Sequence, residues 1–182
     1  IRFHTDSNPL GITILYSNKF IIMENIQEKI NITELEVIKA QELWAQSVIE
    51  IGNLYTKNED YKSRASVFVK QFYAFDVGKV LFKPTLASEK QFRYSYDDAL
   101  SYFIGGHISE DKGFALKPWK KINFAERKII VLKEFALSMG NYFFQSFDGS
   151  DEVKVEFTFG YVKDKDNNLL INLHHSSIPY TI

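Results

Sequence analysis

Imidazole and hydroxyl side chains occur together near the C-terminus, where an otherwise apolar segment turns polar. The segment 169–177 reads LLINLHHSS, so its last four residues stand where a plain strand would continue with apolar ones. Side chains alternate between the two faces of a strand, and we therefore expect His175 and Ser177 to share the face of Ile171. A polar tip on an apolar face is typical of a site at the mouth of a pocket. The four polar residues are His174, His175, Ser176 and Ser177.

A zinc site is the first chemistry that paired histidines suggest, but their spacing argues against it. Zinc takes three or four His, Cys or carboxylate ligands that converge at about 2.0–2.3 Å. His174 and His175 point to opposite faces of a strand, the chain has no cysteine, and its other histidines are His4 and His107. We therefore predict a site without a metal, with a carboxylate-assisted divalent ion as the alternative. The plainest alternative is that both histidines are simply hydrogen-bonded or exposed.

Two further hydroxyl groups lie in the middle of the chain. Thr85 follows Pro84, whose fixed φ could position the threonine hydroxyl, although the same residues could form an ordinary turn before a helix. Tyr102 could point its phenol into a pocket, or it could pack in the core as most tyrosines do. Both are candidates for the same site as the polar strand.

Composition limits the classes of protein to consider. The chain has 182 residues, 45% of them hydrophobic and 15% aromatic, which suits one domain with a large apolar interior. Lys and Arg (22) nearly balance Asp and Glu (23), so the charge pattern does not favour nucleic acid as a partner. No apolar stretch reaches the roughly 18 residues of a membrane span, and we expect no membrane association.

The N-terminal residues read differently from the remainder of the chain. The sequence begins at Ile1, and Met23 is a plausible native start, which would make residues 1–22 an extraneous or poorly ordered extension. We therefore divide the chain into an N-terminal extension at 1–30 and a single domain at 31–182. We expect a cytoplasmic protein, with the periplasm or an organelle as alternatives.

Helices dominate the first part of the predicted domain. The capping box that begins at Thr33 predicts a helix that ends near Lys57. A second helix is predicted over 61–73, and a third over 95–103, with Ser95 as its N-cap and Gly105 as its stop signal.

Strands dominate from about residue 120. Period-two alternation predicts strands at 128–133, 135–145, 153–163 and 169–177, and a short extended piece at 80–82. Helices followed by an antiparallel meander predict an α+β fold with the helices packed on one face of a curved sheet.

Five sequence blocks follow one another in a distinctive order. The blocks are FKPTLASE at 82–89, LSYFIGG at 100–106, EDKGFALKPW at 110–119, ALSMGNYFF at 136–144 and LHHSS at 173–177. In this order they resemble the iota-class carbonic anhydrases, and the resemblance extends over roughly residues 43–180.

The resemblance implies a cone-shaped fold of the nuclear-transport-factor-2-like type, a homodimer, and the reversible hydration of carbon dioxide to bicarbonate. It also implies that Thr85, Tyr102, His175 and Ser177 are catalytic, with His174 and Ser176 in support. Some members are metal-free and others metal-assisted, so the preference for a metal-free site comes from the ligand argument above. The alternative is a non-catalytic domain of the same fold that binds a small ligand or mediates association. An isomerase or hydrolase ranks lower, because no carboxylate lies in the polar strand.

Overall fold

The computed structural model describes residues 31–149 and 152–181, and the predictions for residues 1–30 lie outside them. In that part of the chain, three α-helices and a five-stranded sheet confirm the predicted α+β class. The helices are α1 (Glu34–Thr56), α2 (Tyr61–Phe72) and α3 (Tyr96–Ile104). The strands are β1 (Leu81–Lys83), β2 (Trp119–Leu132), β3 (Phe135–Ser146), β4 (Val153–Lys163) and β5 (Leu169–Ser177).

The helix boundaries follow from local hydrogen bonds that the sequence predicts. The Thr33 hydroxyl accepts from the Glu36 N–H at 3.2 Å, and the Glu36 carboxylate accepts from the Thr33 N–H at 2.7 Å, which completes the capping box. The Ser95 hydroxyl accepts from the Asp98 N–H at 3.1 Å, and Gly105 ends α3 with a φ of 75°. Both N-caps are confirmed.

The sheet has the strand order β1-β5-β4-β3-β2, with β1 parallel to β5 and the other pairs antiparallel. Strand β2 begins at Trp119, so the predicted start at residue 128 is wrong. The reason is a bulge, since the register with β3 shifts between Ala125 and Lys128 and Glu126 has a φ of 52°. This bulge breaks the period-two alternation on which the prediction depended.

The core lies between the helices and the concave face of the sheet. Trp44 of α1 is central to it, since its ring centroid lies 6.1 Å from Phe68 of α2 and 6.1 Å from Phe159 of β4. Burying one such ring contributes roughly 1.5–3 kcal/mol, and favourable ring pairs add about 0.5–1.5 kcal/mol. Within the described residues, no helix is long and apolar enough to cross a membrane.

Candidate active site

A bulge in β5 determines which polar side chains enter the interior of the cone. Tyr161 of β4 pairs with Ile171, but its neighbour Gly160 pairs with Leu173, so Asn172 is an extra residue in β5. The bulge reverses the alternation beyond it, and His174, not His175, shares the inner face with Ile171.

The residues on the two faces of the polar strand therefore point in the opposite directions to those predicted. His174 and Ser176 are 2% and 3% exposed on the inner face. His175 is exposed on the outer face, and the Ser177 hydroxyl donates to the Glu156 carboxylate there at 3.0 Å. The prediction that His175 and Ser177 face the interior is wrong, because simple alternation from Ile171 does not allow for the extra residue.

Gly160 makes this bulge possible. A Cβ at this position would lie 2.9 Å from the Asn172 side-chain oxygen and 2.9 Å from the Leu173 Cβ. Contacts this short force a neighbour to shift, and the Leu173 Cβ is not the flexible end of a side chain, so a side chain at residue 160 would disturb the bulge.

His174 is held by a hydrogen-bond chain that begins in α1. The Trp44 indole N–H donates to the Tyr73 hydroxyl at 3.2 Å, and that hydroxyl lies 2.8 Å from His174 Nδ1. The indole N–H can only donate, so the Tyr73 oxygen accepts that bond. The Tyr73 hydroxyl then donates its own proton to Nδ1 of His174, which acts as the acceptor. This assignment puts the histidine proton on Nε2.

The surroundings of His174 keep the imidazole neutral. Its ring stacks on Phe82 at 4.6 Å and 16°, and lies 4.3 Å from Phe159. Burial lowers the pKa of His174 well below the usual value, and the neighbouring His175 adds to the effect. Nε2 is buried without a hydrogen-bond partner among the described residues. The structure thus presents a buried N–H that can donate to a small oxygen-containing molecule.

Three hydroxyl groups meet at Ser176, which lies two residues beyond this histidine on the inner face of β5. The Thr85 hydroxyl donates to Ser176 Oγ at 2.9 Å, joining the loop after β1 to the inner face of β5. Burial raises the pKa of Tyr142, while the hydroxyls of Ser176 and Thr85 partly offset that rise. Tyr142 therefore stays protonated and can donate.

Tyr102 lies at the edge of the same group. Its ring packs against Phe82 at 5.7 Å and stacks on Phe114 at 5.5 Å and 14°. Burial raises the pKa of Tyr102, the Tyr142 phenol adds to the rise, and the Leu86 backbone N–H opposes it. Because Leu86 follows Thr85, the Tyr102 phenol faces the loop that carries the threonine.

The loop that carries Thr85 is fastened by the carboxylate of Glu110. Its oxygens accept hydrogen bonds of 2.9–3.0 Å from the backbone N–H groups of Ser88, Glu89 and Lys90 and from the Ser88 hydroxyl. These donors, led by the Ser88 and Glu89 N–H groups, lower the pKa of Glu110 to about 2. Glu110 is therefore ionised at any pH at which the protein would be assayed.

A buried ion pair supports the same loop from beneath. Arg93 has a fully buried side chain that donates to the Asp111 carboxylate at 2.6 Å and to the Lys90 carbonyl. The Arg93 N–H also donates to the Phe82 carbonyl at 2.8 Å, which links the end of the loop to β1. The position of Thr85 is therefore determined from both ends of its loop.

A largely apolar cavity of about 480 Å³ leads to Thr85. Its buried walls include Trp119, Phe144 and Val155, and its exposed margin includes Tyr55 and Ile178. Thr85 is therefore the point at which this cavity meets the hydroxyl cluster.

The structure brings together four of the six predicted site residues: Thr85, Tyr102, His174 and Ser176. Sequence reasoning missed Tyr73, Tyr142 and Glu110. Tyr142 could have been found, because it lies two residues from Phe144 on one face of β3, inside a recognised block. Tyr73 follows the end of α2, where no periodicity applies. In the part of the chain that the structure describes, no three His, Cys, Asp or Glu side chains form a group that could hold a metal ion.

Comparisons with known proteins point to one family. The model of a family described as metal-independent carbonic anhydrase matches residues 35–178. The chain is 37% identical over 154 residues to the metal-independent carbonic anhydrase of Nostoc sp., a match that covers 82% of this chain and 75% of that protein. The description of the family agrees with the prediction that no metal is required.

Solved structures support the same relationship. The iota-carbonic anhydrase of a cyanobacterium, complexed with bicarbonate, matches with a TM-score of 0.78 and 35% identity, over 84% of this chain and 95% of that chain. A candidate ketosteroid isomerase from Parabacteroides distasonis has a TM-score of 0.53 at 16% identity, over 83% of this chain and 96% of that one, which concerns the fold alone. The predicted cone-shaped fold of the nuclear-transport-factor-2-like type is confirmed.

Proposed function

This chain belongs to the metal-independent carbonic anhydrase family, in the iota class, and we propose that it hydrates carbon dioxide reversibly to bicarbonate at the Thr85–Ser176 hydroxyl pair. The observation that carries the site assignment is the position of that pair. Thr85 lines an apolar cavity, and its hydroxyl bonds Ser176 in a buried group that also includes two protonated tyrosines and a neutral histidine.

The cavity suits the neutral substrate. Carbon dioxide has no charge or dipole, so the aromatic walls formed by Phe114, Trp119 and Phe144 can admit it without loss of strong hydration. Water reaching the same point finds hydroxyl partners in Thr85 and Ser176. The two reactants therefore meet where the apolar wall ends.

The reaction needs a positioned water and donors for the negative charge that develops. In the proposed step, the oxygen of a water held by Thr85 and Ser176 forms a bond to the carbon of carbon dioxide. One C=O electron pair moves onto its oxygen, where the hydroxyls of Tyr102 and Tyr142 donate. One water proton leaves through the hydroxyl pair to bulk water, and the other stays on bicarbonate.

His174 contributes a further donor. Ser176 and His174 are two residues apart on one face of β5, a separation of roughly 7 Å along the strand. A bicarbonate ion with a hydrogen bond at each end spans a similar distance, so Nε2–H could bind the oxygen opposite Ser176. Trp44 and Tyr73 are positioning residues, because they act through the histidine by fixing its tautomer.

Preorganised donors must supply what a metal would otherwise provide. Zinc lowers the pKa of bound water from about 15.7 to about 7, which makes the loss of the water proton more favourable by roughly 12 kcal/mol. One preorganised donor typically contributes about 10²–10³-fold in rate. Several donors, with the orientation of water and carbon dioxide in one cavity, could together supply a large part of that effect.

Homodimerisation is also part of the proposal. Large apolar side chains on the outer face of β2 and β3 are exposed, with Ile130 at 58%, Leu132 at 59% and Met139 at 61%. A contiguous apolar surface of this kind favours a partner, and a second copy would bury it. Sedimentation equilibrium of the full chain and of Met139→Glu tests this: a dimer that the substitution dissociates is expected, and a wild-type monomer would contradict it.

Stopped-flow carbon dioxide hydration tests the proposed activity. The protein is dialysed exhaustively against chelator, and its metal content is assayed on the same sample. We expect catalysis without stoichiometric metal. Activity restored only by a divalent ion would reject the metal-free site, and no activity with or without metal would favour a binding or association domain.

A further inference from the structure

The cavity in front of Thr85 is several times larger than carbon dioxide requires. Its volume is about 480 Å³, whereas a water molecule takes up about 30 Å³ of liquid volume and carbon dioxide has only three heavy atoms. Pockets of roughly 300–1,000 Å³ are those that enclose whole organic ligands. The volume that carbon dioxide leaves unused is large enough for a whole organic ligand.

The charged residues that line this cavity, among those that the structure describes, are both cationic. They are Lys112 and Lys117, and no described Asp or Glu belongs to the lining. Lys117 Nζ lies 4.7 Å from the centre of the Trp119 ring, and Lys112 Nζ donates to the Ser109 carbonyl at 3.1 Å. Both lysines are exposed, so they can meet an anion without first losing their hydration.

The walls change from exposed to buried along the cavity. Tyr55 and Ile178 are 45% and 52% exposed, whereas Phe144 and Val155 are 1% and 4% exposed. A ligand that fits this gradient has an apolar body for the buried walls and one anionic group that stays near solvent. At the exposed lysines an anionic head keeps most of its hydration and is not buried.

We propose that this cavity binds an amphipathic monocarboxylate, with its apolar tail against Phe144 and Val155 and its carboxylate at Lys112 and Lys117. A bound tail occupies the route to Thr85, so the ligand competes with carbon dioxide. The competition rests on the proposed carbonic anhydrase function, whereas the binding does not.

Calorimetric titration of the full chain with octanoate tests the binding. Octanol and octylamine have the same tail with a neutral or a cationic head. We expect saturable octanoate binding that is about tenfold tighter than octanol binding at low salt, and a preference that fades as salt screens the lysines. Val153→Trp, which fills the exposed end of the cavity, should weaken octanoate and octanol alike.

Two double variants distinguish a specific effect of Lys112 and Lys117 from the effect of lowering the net charge of the protein. Lys112→Gln with Lys117→Gln should remove the preference for octanoate over octanol, whereas Lys120→Gln with Lys121→Gln, which changes the same charge outside the cavity, should keep it. The proposal is overturned by a lack of saturable octanoate binding, by equal affinities for the three heads, or by equal effects of the two pairs.

The activity assay distinguishes this proposal from the proposed function. Octanoate should inhibit carbon dioxide hydration with an inhibition constant equal to its calorimetric dissociation constant. Binding without any hydration activity would reject the carbonic anhydrase assignment and keep the ligand site. Hydration activity that saturating octanoate leaves unchanged would reject the competition.

Discussion

The hydroxyl of Tyr73 lies 2.8 Å from Nδ1 of His174, although 101 residues separate them in the sequence. The Trp44 indole N–H donates to the same hydroxyl, so the bond to Nδ1 carries the Tyr73 proton. The structure therefore specifies one tautomer of a buried histidine, and with it a donor at Nε2.

Removing the Tyr73 hydroxyl should release that tautomer. Tyr73→Phe leaves Nδ1 and the Trp44 N–H unpaired, at a cost of about 1–3 kcal/mol for each buried group left without a partner. We expect lower hydration activity, and nitrogen NMR should show the His174 proton shared between Nδ1 and Nε2. Tyr94→Phe, at an exposed phenol, is the control. An unchanged Nε2–H signal in Tyr73→Phe would contradict the assignment.

Adjacent serines on β5 provide a test of which strand face is functional. Ser176→Ala removes the partner of Thr85 inside the cone, whereas Ser177→Ala removes a hydroxyl that donates to Glu156 on the outer face. We expect kcat/KM for hydration to fall about 10²-fold for the first variant and to stay within about twofold for the second. The reverse order would show that the outer face carries the reaction.

The sequence predicts most of this architecture because caps and periodicity are local. The Thr33 and Ser95 caps use neighbouring residues, and both appear as predicted. Which residues of β5 face inward cannot be predicted from the sequence of β5 alone. The bulge at Asn172 depends on Gly160 in β4, which has no side chain to fill the space that the bulge occupies. The bond from Tyr73 to His174 is equally non-local. Motif resemblance located the strand, but only the register decided which histidine faces inward.

Tyr102 should act as a donor and not as a base. Burial raises its pKa, so the phenol stays protonated throughout the neutral range. Tyr102→Phe should lower kcat by about 10- to 100-fold and should leave the shape of the pH–rate profile unchanged. A variant that loses an ionisation from that profile would show that the phenolate takes part.

The depressed pKa of His174 should make stability depend on pH on the acidic side. In the unfolded chain His174 takes up a proton near the ordinary pKa of about 6.5, whereas in the folded protein it stays neutral to lower pH. The free energy of unfolding is therefore not reduced by this histidine above about pH 6.5. As the pH falls from about 6.5 toward the pKa of the folded state, the free energy of unfolding decreases by up to about 1.4 kcal/mol per pH unit. Urea unfolding at pH 7 and pH 5 measures this loss.

His174→Asn should flatten the acid slope, and the exposed His175→Asn should preserve it. Because the two residues are adjacent, the pair controls for position in the strand. Equal slopes in both variants would contradict the assignment of the slope to the buried imidazole.

Glu110 should act on the reaction through Thr85. Its carboxylate binds the backbone N–H groups of residues 88–90, and the loop that it fastens carries Thr85 to Ser176. Glu110→Gln replaces one accepting oxygen with a donor and should loosen the loop, lowering kcat/KM by about 10-fold. Glu59→Gln, at an exposed position in the α1–α2 turn, should leave kcat/KM unchanged.

A double-mutant cycle separates this positioning role from general stability. Thr85→Val alone should lower kcat/KM by about 10²-fold, since one donor is lost from the site. If Glu110 acts by placing the Thr85 hydroxyl, adding Glu110→Gln to Thr85→Val should cost no more than about twofold, because the group being placed is already gone. Effects that multiply in full would show that Glu110 acts by another route. A fully active Thr85→Val would instead reject the threonine, and with it the proposed site.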